Sequence, residues 1–156
     1  MSNKTSGLRV QDDAVLITLK NLPYQTEIIA RIFEAFAQRD INIDLICQTP
    51  QNNEERTHLS FSVYEKDLPA VLAQVAEFRR KNGEIRVDAS TGNTKISVCF
   101  EPMRDTPGIA AKIFRALADV GTEIKLISTS EIDVSLLISS QDEDKTVAKL
   151  SEVFVF

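Results

Sequence analysis

This chain is poor in the residues that usually carry chemistry. Among 156 residues there is one histidine, His58, with two cysteines, five glycines and no tryptophan. A lone histidine leaves the serines of 127–132 (ISTSEI) without a base at any recognisable distance, so nucleophilic catalysis has no constellation to rest on. His58 itself falls in an alternating, strand-like stretch and reads as a polar-face residue. None of the five glycines stands in a G-x-G-x-x-G or G-x-x-x-x-G-K pattern, which excludes the common phosphate loops. Cys47 and Cys99 lie in apolar segments without metal or redox spacing, so buried, reduced thiols are expected. Long apolar runs are missing too. Nothing approaches the roughly 20 residues that span a bilayer, and the opening MSNKTSGLRVQDDAV lacks the apolar stretch of a signal peptide. Positive charge is in deficit, 18 Lys and Arg against 23 Asp and Glu, for a net charge of −5. That argues against nucleic acid or an anionic membrane as partner. Aromatics make up 6%, too few for a sheet that stacks RNA bases. The expectation is a cytoplasmic protein with no cofactor and no metal. The one carboxylate cluster, Asp142, Glu143 and Asp144, suits the start of a helix, whose dipole favours negative charge.

What the chain does have is an internal repeat. Residues 26–49 read TEIIARIFEAFAQRDINIDLICQT, and 107–130 read PGIAAKIFRALADVGTEIKLISTS. At a constant offset of 81 residues, Ala30/Ala111, Ile32/Ile113, Phe33/Phe114, Ala35/Ala116, Ala37/Ala118, Ile43/Ile124, Leu45/Leu126 and Ile46/Ile127 are identical. Two copies of one supersecondary unit follow. Units of about 75 residues are marginal alone, so the copies should share an interface or dimerise.

Periodicity assigns the elements. Residues 14–20 read as a strand, and Ile29, Ile32, Phe33 and Phe36 as a helix from Thr26 to about Asp40. Residues 41–49 read as a strand, 50–56 as a polar hairpin loop, and 57–64 as an alternating strand with Leu59, Phe61 and Val63 on one face. Leu68, Val71, Leu72, Val75 and Phe78 mark a second helix stopped at Asn82-Gly83. Residues 84–89 form a short strand. The second copy repeats the order: a strand at 95–100, and a helix over 107–120 with Thr106 as N-cap, Pro107 at its first position and Gly121 at its end. Strands at 124–130 and 133–138 follow, then a helix over 142–154 with Val147, Leu150 and Val153 inward. The fold class is α+β, two ferredoxin-like (βαββαβ) units in tandem, divided as 7–89 and 90–156. Each copy needs one more strand than β-α-β-β-α supplies. Residues 84–89 and 7–11 can provide them, so exchange of terminal strands between the units is expected.

Function has to come from sites placed on this fold, and the strand-to-helix loops are the candidates. In the second copy the loop reads Met103-Arg104-Asp105-Thr106-Pro107-Gly108. Glycine admits close approach to the backbone, free N–H groups at a helix start favour a carboxylate, and Asp105 suits an ammonium group. Together they complement a free amino acid.

Asp105-Thr-Pro-Gly108 opening a helix, followed by Ile127-Ser-Thr-Ser-Glu-Ile132, resembles the second ACT domain of aspartate kinases. Ile41-Asn-Ile-Asp44 and Gln48 resemble the matching strand of the first, and the resemblance covers nearly the whole chain. It implies a regulatory module for feedback inhibition by lysine, threonine or both, in a homodimer serving an aspartate kinase catalytic domain or subunit. This chain by itself would carry no kinase activity. Effector-binding positions carried over by the resemblance are Asn42, Asp44, Gln48, Met103, Asp105, Gly108, Ile109, Ser128, Thr129 and Ser130. In the first copy the helix-opening loop, Tyr24 to Glu27 with Ile29 beyond it, departs from the pattern. Glu27 replaces the glycine and Tyr24 the aspartate, placing a negative side chain where an effector carboxylate would sit. An assembly module that has lost sensing is the alternative.

Overall fold

The computed structural model describes residues 7–50, 55–100, 103 and 105–154. In chain order the elements are β1 (Gly7–Pro23), α1 (Thr26–Ala37), β2 (Ile46–Pro50), β3 (Arg56–Tyr64), α2 (Leu68–Lys81), β4 (Arg86–Cys99), α3 (Ile109–Asp119), β5 (Ile124–Thr129), β6 (Asp133–Ser139) and α4 (Glu143–Val153). Most of the loop expected at 50–56 lies outside the described residues.

The chain divides into two compact units. One consists of residues 14–91, the other of residues 92–156 together with the segment before Ala14. The strands at 7–11 and 14–20 are therefore one continuous strand, β1, whose two parts serve different units; β4 likewise merges 84–89 with 95–100. Asp13 (φ 56°) and Gly92 (φ 66°) occupy the left-handed region at the points where each strand passes from one unit to the other. Among the described residues six strands, of which β1 and β4 are long, thus supply four segments to each unit. The strand order is β2-β3-β1-β4 in the first unit and β1-β4-β6-β5 in the second. Both are ferredoxin-like α+β sheets.

Each unit has its own core. In the first, Val15, Ile17 and Leu19 of β1 and Leu59, Phe61 and Val63 of β3 are buried against Ile32 and Phe36 of α1 and Val71 and Val75 of α2. The Phe36 and Phe61 ring centroids lie 5.5 Å apart in a tilted arrangement. In the second, Ile96 and Val98 of β4 and Val134, Leu136 and Ile138 of β6 pack on Ile113 and Leu117 of α3 and Leu150 of α4. Leu8, from β1, packs against this second core. Val153, expected inward, is 38% exposed because α4 ends there and the core position passes to Phe154. Cys99 is buried, whereas Cys47 on β2 is only half-buried; both are free thiols.

The repeat extends to the helix ends. Gly121 follows α3 at φ 66°, and its counterpart Asp40 follows α1 at φ 55°. Ile41 N–H donates to Phe36 O at 3.1 Å and Thr122 N–H to Leu117 O at 3.0 Å, the same closing bond in each copy. Glycine takes the left-handed conformation without strain, whereas aspartate takes it at some cost. An added Cβ at Gly121 would meet nothing within 4 Å, so the cost of a side chain there is conformational alone. Asp40→Gly is accordingly expected to raise stability, and Gly121→Ala to lower it, each by about 1 kcal/mol. Urea denaturation followed by circular dichroism measures both.

Candidate functional site

In the second unit the loop after β4 leaves the sheet beside the β5–β6 hairpin: Phe100 N–H donates to Ile132 O at 2.9 Å, and Met103 N–H returns to Phe100 O at 2.9 Å. The Met103 side chain packs against the second core rather than into the open loop. Asp105 is exposed. The helix start differs from expectation. Thr106 is not the N-cap and Pro107 is not helical; Gly108 is the N-cap, at φ 92° and ψ 0°, and α3 begins at Ile109. The physical reason is the glycine. Its left-handed conformation lets the chain turn sharply into the helix, a route that Thr106 as cap would not require. Among the described residues no side-chain oxygen caps this end, which is true of α1 as well, so the first-turn N–H groups have no side-chain partner there. Ile109, 5% exposed, points into the core and can offer a ligand only its backbone.

On β5, Ser128 is half-buried and Thr129 and Ser130 are exposed. Ser130 lies just past the strand and is already committed. Its Oγ accepts from the N–H groups of Ile132 (3.2 Å) and Asp133 (3.1 Å) and donates to the Asp133 carboxylate, while its own N–H donates to Asp133 O at 2.9 Å. Asp133 also accepts from Ser135 Oγ at 2.9 Å, which meets Ser97 Oγ at 2.7 Å. This serine-aspartate turn makes the tight bend between β5 and β6. Strand periodicity does not reveal it; the signal in the sequence is the S-x-x-D pattern of Ser130 and Asp133. Lys125 of β5 reaches Asn93 Oδ1 at 2.5 Å, so its charge is directed at β4.

The first unit builds the corresponding place differently. Tyr24, 48% exposed, is fixed through its N–H to Glu55 O at 2.8 Å. Gln25 is the N-cap in an extended conformation and α1 begins at Thr26. Thr26 is the counterpart of Pro107, so this helix starts two residues earlier in the repeat than α3 does. Glu27, in the place of Gly108, is helical rather than left-handed, and its Oε1 accepts from Arg31 Nε at 2.8 Å. Ile29 packs partly on the first core. Residues 41–45, expected as the start of a strand, precede β2: they are tied to β3 by Asp44 N–H to Ser62 O (3.1 Å), Ser62 N–H to Leu45 O (3.0 Å) and Leu45 N–H to Ser62 Oγ (3.0 Å). The side-chain bond from Ser62 interrupts the regular ladder there. Asn42, Asp44 and Gln48 are exposed, with Gln48 on β2 opposite Leu59. The structure thus gathers Met103, Asp105, Gly108 and Ser130 at one end of the second unit. Asn42, Asp44, Gln48 and Tyr24 belong to the first. β2 and β5 are the outermost strands, and each carries an exposed isoleucine at the same repeat position, Ile46 (51%) and Ile127 (44%).

Residues 96–154 match the family model for the ACT domain. The chain is similar to a chain in the crystal structure of the aspartokinase alpha and beta subunits: 31% identical, TM-score 0.85, with 96% of this chain and 98% of that one covered. The chain belongs to the aspartokinase family. It is the tandem ACT, regulatory part of such a kinase, and it is similar to the regulatory subunit of aspartate kinase from Thermus thermophilus, 26% identical at a TM-score of 0.85 over 97% of this chain and 100% of that one. It is also similar to the aspartokinase of Bacillus sp. (strain MGA3), 33% identical over 148 residues, 95% of this chain and 36% of that protein. The chain therefore spans about a third of the length of the curated relatives it matches. Among the described residues no helix is long and apolar enough to cross a membrane.

Ser130→Ala leaves the turn N–H groups of Ile132 and Asp133 without this acceptor and should lower stability by about 1 kcal/mol. Thermal melts against Thr129→Ala, whose side chain is exposed on β5, give the comparison; equal melting points for the two variants would contradict the assignment.

Proposed function

We propose that this aspartokinase regulatory chain binds a free amino acid, lysine or threonine or both, and transmits its presence as feedback inhibition. The observation that carries the reading is the left-handed Gly108 at the opening of α3, with an uncapped helix start behind it and an exposed Asp105 before it. Backbone N–H groups at a helix start suit a carboxylate. An aspartate beside them suits an ammonium group. Asp105, Gly108 and the backbone of Ile109 form one side of this site, with Ser128 and Thr129 near the same end of the sheet. Asn42, Asp44 and Gln48 supply the other side in a homodimer, which the exposed isoleucines on the outer strands favour. Binding stabilises one arrangement of the dimer and biases a catalytic domain or subunit of aspartate kinase toward inactivity; the coupling is reciprocal, so the kinase state changes effector affinity by the same factor. Phosphoryl transfer resides in that catalytic part and not in this chain.

A second reading is supported by one observation. Glu27 is helical and paired with Arg31, so the first unit's loop offers an effector no left-handed glycine and sets a negative side chain at the start of α1. A module that only assembles the kinase is consistent with that loop. Effector binding through the second unit alone is equally so.

Isothermal titration with lysine, then threonine, then both, separates the readings. Saturable heat is expected for at least one, with Asp105→Ala weakening it about tenfold through loss of a charge-assisted contact. No heat from a folded protein would favour the assembly role. Light scattering at micromolar concentration is expected to return the mass of a dimer, and a monomer would remove the shared-interface mechanism.

A further inference from the structure

We propose that the first unit carries a separate anion site, built for a phosphorylated small molecule, in the cavity bounded by the end of α2, the bulge of β1 and the start of β4. The cavity is about 620 Å³ and is lined by Lys20, Asn21, His58, Arg79, Glu84 and Arg86, with Gly83 and Ile85 completing it. All belong to residues 14–91, so the site is internal to one unit. It is remote in sequence from Asp105 and Gly108 and goes beyond the amino-acid reading without resting on it.

Three observations carry the proposal. The first is charge. In a chain of net charge −5, three cationic side chains from three different elements converge here: Lys20 of β1, Arg79 of α2 and Arg86 of β4. Arg79, with Arg80 and Lys81, lies in the last turn of α2, where the helix dipole alone would favour a cation. That explanation does not reach Arg86. The second is how the carboxylates are used. Glu84 is held by Arg56 at 2.5 Å, and Asp88 pairs with Lys20. Arg79 and Arg86 have no ion-pair partner among the described residues. The third is a fixed wall. Asn21 sits at φ 61° where the β1–β3 register shifts between Leu19 and Leu22. Its Nδ2 donates to Glu84 O at 3.2 Å, and Arg56 Nη1 donates to Asn21 O at 3.2 Å. The loop over 82–84 is thereby held to the bulge before any ligand arrives, which lowers the ordering cost of binding.

The chemistry of the lining selects the ligand class. The guanidinium forks of Arg79 and Arg86 suit the paired oxygens of a phosphoryl group, while Lys20 is held by Asp88. Among the described residues the lining holds no phenylalanine, tyrosine or tryptophan on which a nucleobase would stack. The volume falls within the range of roughly 300–1,000 Å³ usual for small-molecule sites. A phosphate ester or a pyrophosphate fits these terms; a nucleobase adds nothing the site can use.

The test is isothermal titration of the whole chain at low ionic strength with inorganic pyrophosphate and with ribose 5-phosphate. Saturable binding is expected, falling as salt is raised. Arg79→Ala and Arg86→Ala should each weaken it about tenfold, while Arg80→Ala, which removes a neighbouring charge outside the cavity, should leave it unchanged. Amide shifts on titration should centre on Asn21, Gly83 and Ile85. Absence of saturation, or equal weakening by Arg80→Ala, would overturn the proposal and leave only diffuse attraction. Lysine and threonine titrations of the Arg79→Ala, Arg86→Ala double variant should match the parent chain, so failure of this site and failure of the amino-acid site read out separately.

Discussion

The second unit depends on a strand that the sequence places ahead of the first unit. β4 carries buried Thr94, Ile96 and Val98 through the second unit, and β6 pairs it on one side only. β1 is its neighbour on the other side, and Leu8 closes the core beneath. A strand with an apolar face and an open edge would be prone to pairing with other chains. The arrangement requires both β1 and β4 to be long and to change allegiance part-way. Left-handed Asp13 and Gly92 mark the change in each. Glycine meets that demand through its missing Cβ and aspartate through its tolerance of the left-handed region.

Two copies of one unit have diverged at the place where function is expected. Position 27 and position 108 are counterparts. Holding a glutamate in the left-handed region costs on the order of 1 kcal/mol, so the chain at Glu27 takes the helical alternative and α1 gains its early start. At Gly108 no such cost exists, the turn is retained, and α3 starts late. One substitution thus changes the backbone itself, not only the charge that a ligand would meet.

Much of this was legible in the sequence. The repeat, the four helices, the pattern of β3 and the left-handed role of Gly121 follow from spacing and residue type. Asp40 as the counterpart of Gly121 was not read, because aspartate is an occasional rather than an obligate left-handed residue. The continuity of β1 and β4 was hidden because local periodicity is interrupted at Asp12-Asp13 and Thr91-Gly92, where the strands change units rather than end. The placement of α3 followed a rule for proline at a first helical position that the adjacent glycine overrode. Among the candidate positions, the turn at Gly108 and the exposed place of Asp105 were legible from the residue types of their loop. The commitment of Ser130 to its own hairpin and of Met103 to the core was not, since both depend on which way a side chain turns.

The order of the strands along the chain has a temporal consequence during synthesis. Residues 7–13 emerge from the ribosome before the first unit, yet the part of β4 beside them and the core that Leu8 packs against are made only after it is complete. For that interval the segment is an unpaired strand attached to a folding neighbour. Arg9, Asp12 and Asp13 are exposed in the finished protein, and charges on such a strand discourage it from adding to the wrong sheet. Those charges read as protection for the nascent chain as much as decoration of the folded one.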